Sequence, residues 1–254
     1  MNTLASDRGL HYGDGLFETL RVIDGVAPLW EWHRERLLAG CARLRMPAPE
    51  DARLRRTLRS VSRTHRDSVV KLIWTAGSGQ RGYARPPEPV PRLLASARPW
   101  QPLPVAALRL RWCATRLALQ PALAGIKHLN RLEQVLARAE WNEDYDEGLM
   151  LDMQGRVIAA TAANVFVRQG GQWLTPPVAE CGIAGVTRRW MLQTVAAREC
   201  TLSVGDIESA DALVLTNAVR GPRQAGRLGE RRWRADAGVR RLRAAWDALF
   251  AGSA

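Results

Sequence analysis

Lysine, cysteine and histidine are scarce in this sequence, and each scarcity narrows the range of possible functions. Lysine occurs only at Lys71 and Lys127, so 35 of the 37 basic residues are arginine. The four cysteines and four histidines are scattered, without a Cys-x-x-Cys pair or another metal-ligand spacing. We therefore expect reduced structural thiols and no metal site.

Long apolar runs and a signal-like N-terminus are also missing from the sequence. A membrane helix needs about 20 consecutive apolar residues, and a secretory signal places basic residues before a shorter apolar stretch. Because neither pattern occurs, we expect a cytoplasmic protein that has no membrane partner.

The formal net charge of +12 raises the question of nucleic-acid binding. The arginines are spread along the whole chain, and no basic stripe alternates with aromatic residues. A general preference for arginine explains most of this charge, so we expect no nucleic-acid partner. A positive field would still favour a small anionic ligand.

Proline marks one boundary in a chain of 254 residues, a length that fits one large domain or two modest ones. Seven of the 14 prolines lie between Pro86 and Pro104, where they disfavour helix and central strand. A strand still fits at residues 92–98. We therefore predict a smaller N-terminal α/β domain at 1–97, a linker at 98–106 and a larger domain at 107–254.

Apolar periodicity predicts a mixture of helices and strands in both halves. An Asp24-Gly25 turn follows the first strand, and Leu132, Val135, Leu136 and Ala139 form one apolar stripe of a helix. The mixture predicts an α+β fold of two domains, with a ligand site in the cleft between them. The predicted strands are 16–22, 69–75, 92–98, 108–114, 147–152, 157–160, 164–168 and 212–216; the predicted helices are 28–44, 50–63, 187–200, one from about 129 and one from 237.

Lys127 is chemically distinct from the arginines that supply most of the positive charge. An amine can lose its proton and attack a carbonyl group, whereas a guanidinium stays charged. Schiff-base chemistry therefore requires lysine. Lys127 lies between a turn and an amphipathic helix, and the alternative interpretation is a solvated lysine without a function.

Four motifs occur together and in order: SDRG from Ser6, YGDGLFET from Tyr12, GIKHLNRLEQVLAR from Gly125, and ANVF from Ala163. They resemble the fold-type IV pyridoxal-phosphate enzymes over nearly the whole chain. The segments KHLNRLEQVLAR and GSGQRGY are most similar to those of the aminodeoxychorismate lyases, rather than the branched-chain or D-amino-acid aminotransferases. The resemblance implies a homodimer, and a cofactor in the inter-domain cleft whose lysine belongs to the larger domain.

The resemblance also implies the residues that bind pyridoxal 5'-phosphate. Lys127 would hold the cofactor as a Schiff base and then act as the acid and base, so its pKa must lie below the free value of about 10.4. Arg36 would bind the phosphate. Asn130, one helical turn beyond Lys127, is the candidate for the phenolic oxygen.

Two further segments match the family's phosphate-binding segments. Val186 and Thr187 follow Gly185 at a predicted helix start, where free amides form an anion site; an ordinary helix cap is the alternative. Thr216 and Asn217 end an apolar strand, and a simple strand-to-loop turn is the alternative there.

The implied substrate is 4-amino-4-deoxychorismate, a dianion that the lyases convert to 4-aminobenzoate and pyruvate. Arg81 is the candidate carboxylate clamp because a guanidinium matches a carboxylate, although a solvated turn arginine is equally compatible with the sequence. Tyr83 and Glu18 are the other candidate substrate-binding residues.

Ala159 departs from the family pattern. The family usually has glutamate five residues before the motif asparagine, here Asn164, where its carboxylate pairs with the pyridine nitrogen of the cofactor. The loss of such a charge-assisted hydrogen bond removes roughly 1.5–3 kcal/mol of stabilisation from the protonated pyridine ring. This change disfavours transamination, which needs a long-lived carbanion. Two alternatives stay open: a fold-type IV aminotransferase, and a relative with weakened catalysis.

Overall fold

The computed structural model describes residues 5–79, 82–102 and 106–251, which form two compact units. The first unit holds the described part of 5–102 and also 126–131, and the second holds 106–125 and 132–251. The segment with Lys127 therefore belongs to the first unit, unlike in the sequence-based division, where it is part of 107–254. The reason is backbone pairing, since the Phe17 amide donates to the Lys127 carbonyl (2.9 Å) and the Leu129 amide donates to Gly15 (3.0 Å).

The first unit is built on a three-stranded antiparallel sheet in the order β1-β2-β3. Its strands are β1 (Gly15–Ile23), β2 (Asp67–Thr75) and β3 (Arg92–Pro99), and its helices are α1 (Arg8–Tyr12), α2 (Trp30–Arg43) and α3 (Asp51–Ser62).

Two amphipathic helices of the first unit pack on this sheet, α2 against β1 and α3 against β2 and β3. Leu37 and Cys41 of α2 and Leu54 and Leu58 of α3 are buried, as their helical spacing predicts. Gly40 lets α2 approach closely, because a Cβ atom there would lie 2.8 Å from the Leu16 side chain on β1.

The second unit is built on one large sheet, which has nine strands in the described residues. They run β10-β11-β4-β5-β6-β7-β8-β9, with β12 beside β11, and β10 also pairs with β7. Six strands therefore close into a ring. The strands are β4 (Leu108–Trp112), β5 (Glu147–Leu151), β6 (Val157–Ala160), β7 (Asn164–Gln169), β8 (Gln172–Thr175), β9 (Arg198–Glu199), β10 (Ala212–Asn217), β11 (Gly221–Leu228) and β12 (Arg231–Arg232); the helices are α4 (Leu132–Arg138), α5 (Val186–Thr194), α6 (Val204–Ser209) and α7 (Ala237–Ala251).

The ring of strands encloses an apolar core in which Leu110, Leu149, Val165 and Leu213 are fully buried. Its closure sets Asn164, the first residue of β7, opposite Thr216 near the end of β10. One end of the barrel therefore brings together the ANVF motif and the segment of Thr216 and Asn217.

The predicted strands all occur, within a few residues of the predicted bounds. Periodicity did not predict β11, which begins Gly221-Pro222 and has no regular alternation of apolar and polar residues, or four-residue β8 after the Gly170-Gly171 turn. Helix α5 ends at Thr194 rather than near 200 because Arg198 and Glu199 pair with β8. Helix α4 starts at Leu132, since the residues before it pair with β1.

The apolar stripe of α4 lies at the surface of the chain. Leu132, Val135 and Leu136 are 75%, 59% and 61% exposed. Among the described helices, none is both long and apolar enough to cross a bilayer.

Gly77→Ala should destabilise the chain more than Gly82→Ala, although both glycines have positive φ (+76° and +89°). An L-residue in that left-handed conformation costs about 1–2 kcal/mol in either variant. At Gly77 the new Cβ would also lie 1.9 Å from the Val90 carbonyl oxygen, whereas no described atom lies within 4 Å at Gly82. Urea denaturation of both variants measures the difference, and equal midpoints would contradict it.

Candidate active site

Lys127 lies beside the aromatic ring of Phe17 at the edge of β1. Its Nζ atom is 4.4 Å from the ring centroid, and the Nζ atom of Lys71, on neighbouring β2, is 4.9 Å from the same centroid. A backbone bridge between Leu16 and His128 fixes the segment against β1. The two lysines of the chain therefore share one ring.

Burial, together with the nearby cations Arg36, Arg131 and Lys71, lowers the pKa of Lys127 to about 7, against the opposing effect of Glu18. Both effects disfavour the charged ammonium. Near neutral pH a large share of the amine is therefore unprotonated. Lys127 can then act as a nucleophile or a base, which an arginine at this position could not do.

Glu18 is buried on β1, and its two oxygen atoms accept hydrogen bonds from α2. Arg36 donates Nε to one oxygen (2.8 Å) and NH2 to the other (2.5 Å), and His33 Nδ1 lies 2.6 Å from the second oxygen. Burial alone would raise the pKa of Glu18, but Arg36 and His33 outweigh it and lower the pKa to about 2. Glu18 therefore fixes the guanidinium of Arg36, and its assignment to substrate binding stays a prediction.

His33 was not identified from the sequence. It precedes Arg36 by three residues, so both side chains leave α2 on the same face. The helical spacing of His33 and Arg36 was visible in the segment HRERL (residues 33–37). Their shared partner on β1, Glu18, is 15 residues from His33 and cannot be inferred from that spacing.

The other predicted residues of the first unit lie in loops. The Asn130 side chain donates to the Gly13 carbonyl (3.2 Å). Tyr83 is 85% exposed, and its ring packs edge-on against Tyr12 with centroids 5.4 Å apart. Arg81 lies outside the described residues.

Two buried hydroxyl groups of the second unit lack hydrogen-bond partners among the residues that the structure describes. They are Thr187 Oγ1 in the first turn of α5 and Thr216 Oγ1 on β10, and both residues are 1% exposed. Leaving such a group unpaired costs about 1–3 kcal/mol. Helix α5 also starts at Gly185 without a side-chain cap, so its first amides are free to bind an anion. Val186, Thr187 and Thr216 therefore fit a phosphate group.

The Asn217 side chain braces the backbone next to Thr216. Its Nδ2 donates to the Ala162 carbonyl (3.2 Å), and its Oδ1 accepts from the amides of Val219 (3.2 Å) and Arg220 (2.8 Å). The predicted contact of Asn217 with the cofactor stays a prediction.

Ala159 belongs to an apolar cluster in which Cys113, Ile158 and Cys181 are buried. Burial raises the pKa of the Cys113 and Cys181 thiols to about 12 and 11, so these thiols stay protonated. The described part of the chain contains no cluster of histidine, cysteine and acidic residues suited to a metal ion.

Comparison with known proteins places this geometry in a family. Residues 15–227 match the family model of amino-transferase class IV. The chain belongs to the class IV aminotransferase family. This confirms the resemblance drawn from the four motifs.

Three class IV relatives show how far the likeness extends. The aminodeoxychorismate lyase of Vibrio harveyi is 34% identical over 215 residues, which cover 82% of this chain and 78% of that protein. The D-alanine aminotransferase of Staphylococcus haemolyticus is 26% identical, with 83% and 78% covered. The crystal structure of 4-amino-4-deoxychorismate lyase from Pseudomonas aeruginosa superposes with a TM-score of 0.90 at 42% identity, covering 96% of this chain and 93% of that chain. The fold-type IV α+β architecture is thereby confirmed.

Arg36→Gln and Glu18→Gln should move the pKa of Lys127 in opposite directions. Removing the Arg36 cation should raise it above about 7, and removing the Glu18 anion should lower it. Pulse labelling with trinitrobenzenesulfonate at several pH values, followed by mass spectrometry of the Lys127 peptide, measures the pKa. Circular dichroism checks that both variants fold, and shifts of the same sign would contradict the charge arrangement.

Proposed function

We propose that the chain is a pyridoxal-phosphate-dependent lyase that converts 4-amino-4-deoxychorismate to 4-aminobenzoate and pyruvate, as a step of folate biosynthesis. The observation that carries the proposal is the likeness to the Pseudomonas aeruginosa lyase over nearly the whole of both chains. The low pKa of Lys127 supports it, because the reaction needs a neutral amine at this position.

Lys127 is the proposed catalytic residue and covalent anchor of the cofactor. Pyridoxal phosphate, when bound, supplies an electron-withdrawing ring that stabilises negative charge at the carbon that bears the substrate amine. Lys127 removes the proton from that carbon, and its pKa near the working pH suits both taking and returning a proton. The substrate then expels pyruvate, and its ring becomes aromatic.

In the second unit, the proposed phosphate-binding groups are the Val186 and Thr187 amides and the Thr187 and Thr216 hydroxyls. The two orphan hydroxyls and the uncapped start of α5 support this assignment. Arg36 of the first unit is proposed to bind the phosphate from the family resemblance alone. Glu18 holds Arg36 in one orientation through two hydrogen bonds. Asn130 is the proposed partner of the phenolic oxygen.

The substrate side of the proposal rests on charge. The chain is strongly basic, which suits a dianion. Arg81 and Tyr83 are the proposed substrate contacts in the Gly-rich loop, and the exposed ring of Tyr83 is available for such a contact.

We further propose a cytoplasmic homodimer in which the apolar stripe of α4 is covered. Leu132, Val135 and Leu136 form an exposed apolar surface that a second copy would remove from water. The four free cysteines suit a reducing compartment. The division into functional domains at 98–106 stays part of the same proposal.

A second candidate function is amino-group transfer, which the likeness to the D-alanine aminotransferase favours. Ala159 opposes it, because alanine cannot supply the carboxylate that pairs with the pyridine nitrogen in the family, and the cluster to which Ala159 belongs is apolar. Elimination that ends in an aromatic ring depends less on that proton, so the lyase reaction tolerates Ala159 better.

A turnover assay tests the proposal. The full chain with added cofactor should convert 4-amino-4-deoxychorismate to 4-aminobenzoate and pyruvate. Lys127→Arg, whose guanidinium stays charged and cannot form the Schiff base, should be inactive. Exchange between an amino acid and a 2-oxoacid without pyruvate release would instead support the aminotransferase.

Thr187→Val and Thr216→Val should weaken cofactor binding without destabilising the cofactor-free chain. Valine has the same shape and lacks the orphan oxygen, so thermal stability should stay equal or rise. Each variant should bind pyridoxal phosphate about tenfold more weakly, as expected for one hydrogen bond to a charged group. Spectroscopic titration and thermal unfolding measure the two effects.

Thr175→Val is the matched control for these variants. Thr175 is equally buried, but its hydroxyl donates to the Val165 carbonyl (2.7 Å). This variant should therefore lose stability and keep its affinity for the cofactor. The same affinity loss in all three variants would contradict the assignment of the two orphan hydroxyls.

A further inference from the structure

The side chain of Asn164 connects the barrel to the loop before α5. Asn164 is buried at the start of β7, and its Nδ2 donates to the Ile183 carbonyl (2.8 Å). Its Oδ1 faces Gly185, where a Cβ atom would lie only 2.1 Å away. One side-chain amide therefore bonds to Ile183 and packs closely against Gly185, directly before the first turn of α5.

Gly185 is required by this contact rather than by its backbone conformation. Its φ of −65° and ψ of 143° are open to any residue. A side chain at this position would collide with Asn164 Oδ1, so the pair Asn164 and Gly185 sets how closely the loop approaches β7.

The same asparagine is paired with one of the orphan hydroxyl residues. Asn164 on β7 lies opposite Thr216 on β10 in the antiparallel register. Its side chain reaches the loop that leads into Val186 and Thr187. Asn164 thus links the two segments that carry Thr187 Oγ1 and Thr216 Oγ1, although it forms no hydrogen bond with either hydroxyl.

The loop is also held on a second side by Gly125. The Ala184 amide donates to the Gly125 carbonyl (2.9 Å), and the Gly125 amide donates to the Gly182 carbonyl (3.0 Å). With Gly125 and Asn164 in place, residues 182–185 have backbone contacts before α5 and a side-chain contact to β7. Without Asn164 the support from β7 is lost, because the Ile183 carbonyl no longer accepts the hydrogen bond from the Asn164 side chain.

We propose that Asn164 is a positioning residue for a phosphate monoester, a role that rests on the proposed cofactor. It acts through Gly185 by setting the α5 amides and the Thr187 hydroxyl at a fixed distance from Thr216. An anion site at a helix start depends on such alignment, because each donor must point at the same group. Asn164 itself does not touch the reacting atoms.

The test compares binding of pyridoxal phosphate with binding of pyridoxal, which lacks the phosphate. The ratio of the two affinities isolates the phosphate contribution, whereas a general loss of structure lowers both. The wild-type chain should prefer the phosphorylated compound, and Asn164→Ala should reduce this preference by about tenfold or more, equivalent to one or more charge-assisted hydrogen bonds. If Asn164→Ala fails to fold, Asn164→Ser replaces it in the same titration, with a smaller loss of preference expected.

Gly185→Ala provides an independent check through a double-mutant cycle. Alone, it should reduce the preference because its Cβ collides with Asn164 Oδ1. Combined with Asn164→Ala, it should add little further loss, since the colliding atom is gone. Fully additive losses would overturn the inference.

Gln169→Ala is the matched control. Gln169 ends the same strand, and its side-chain amide donates to the Asp206 carbonyl (3.0 Å). This variant should leave the preference for phosphate unchanged. If the wild-type chain prefers the phosphorylated compound and Asn164→Ala keeps that preference, the inference is overturned and the cofactor assignment stands. A wild-type chain without any preference would overturn both the inference and the cofactor assignment.

Discussion

The burial of one amine among cations is the constraint on which the proposed chemistry depends. Lys127 lies beside Phe17 and near Arg36, Arg131 and Lys71, and Glu18 opposes the effect of these cations on its pKa. Since Glu18 is already bound to Arg36 and His33, it cannot restore the ordinary pKa of the lysine. The pairing of α2 with β1 therefore positions Arg36, the proposed phosphate-binding cation, and keeps the amine reactive at the same time.

A second constraint lies in the barrel, where unpaired polar groups cost stability at the proposed phosphate-binding residues. Thr187 and Thr216 bury hydroxyls that have no partner among the described residues, and the first turn of α5 has no side-chain cap. Each feature destabilises the chain by itself. Together they form a set of donors that a phosphate would satisfy, which explains why valine or a capping residue is absent from these positions.

The sequence predicted most of the strands and the family, because both depend on local patterns. Lys127 and Arg36 were predicted from the family resemblance, and the start of α5 after Gly185 from the signals of a helix start. The partners of Glu18 and the contact between Asn164 and Gly185 could not be predicted, since they join segments that are distant along the chain. Periodicity predicted an apolar stripe on α4, but it cannot distinguish a core from a surface that a second copy would cover.

The position of the lysine segment was the least predictable feature. Residues 126–131 belong with the first unit through backbone hydrogen bonds to β1, and backbone pairing leaves no mark in composition or spacing. Strand β11 was missed because a segment that starts Gly-Pro, contains a second glycine and lacks regular alternation of apolar and polar residues resembles a loop.

Borohydride reduction in the presence of pyridoxal phosphate tests the central claim most directly, because the chain has two lysines and both contact Phe17. Reduction fixes the cofactor to whichever amine holds it, and mass spectrometry of the digested chain identifies that amine. We predict the added mass on the peptide that contains Lys127. Label on the Lys71 peptide, or on neither, would contradict the account.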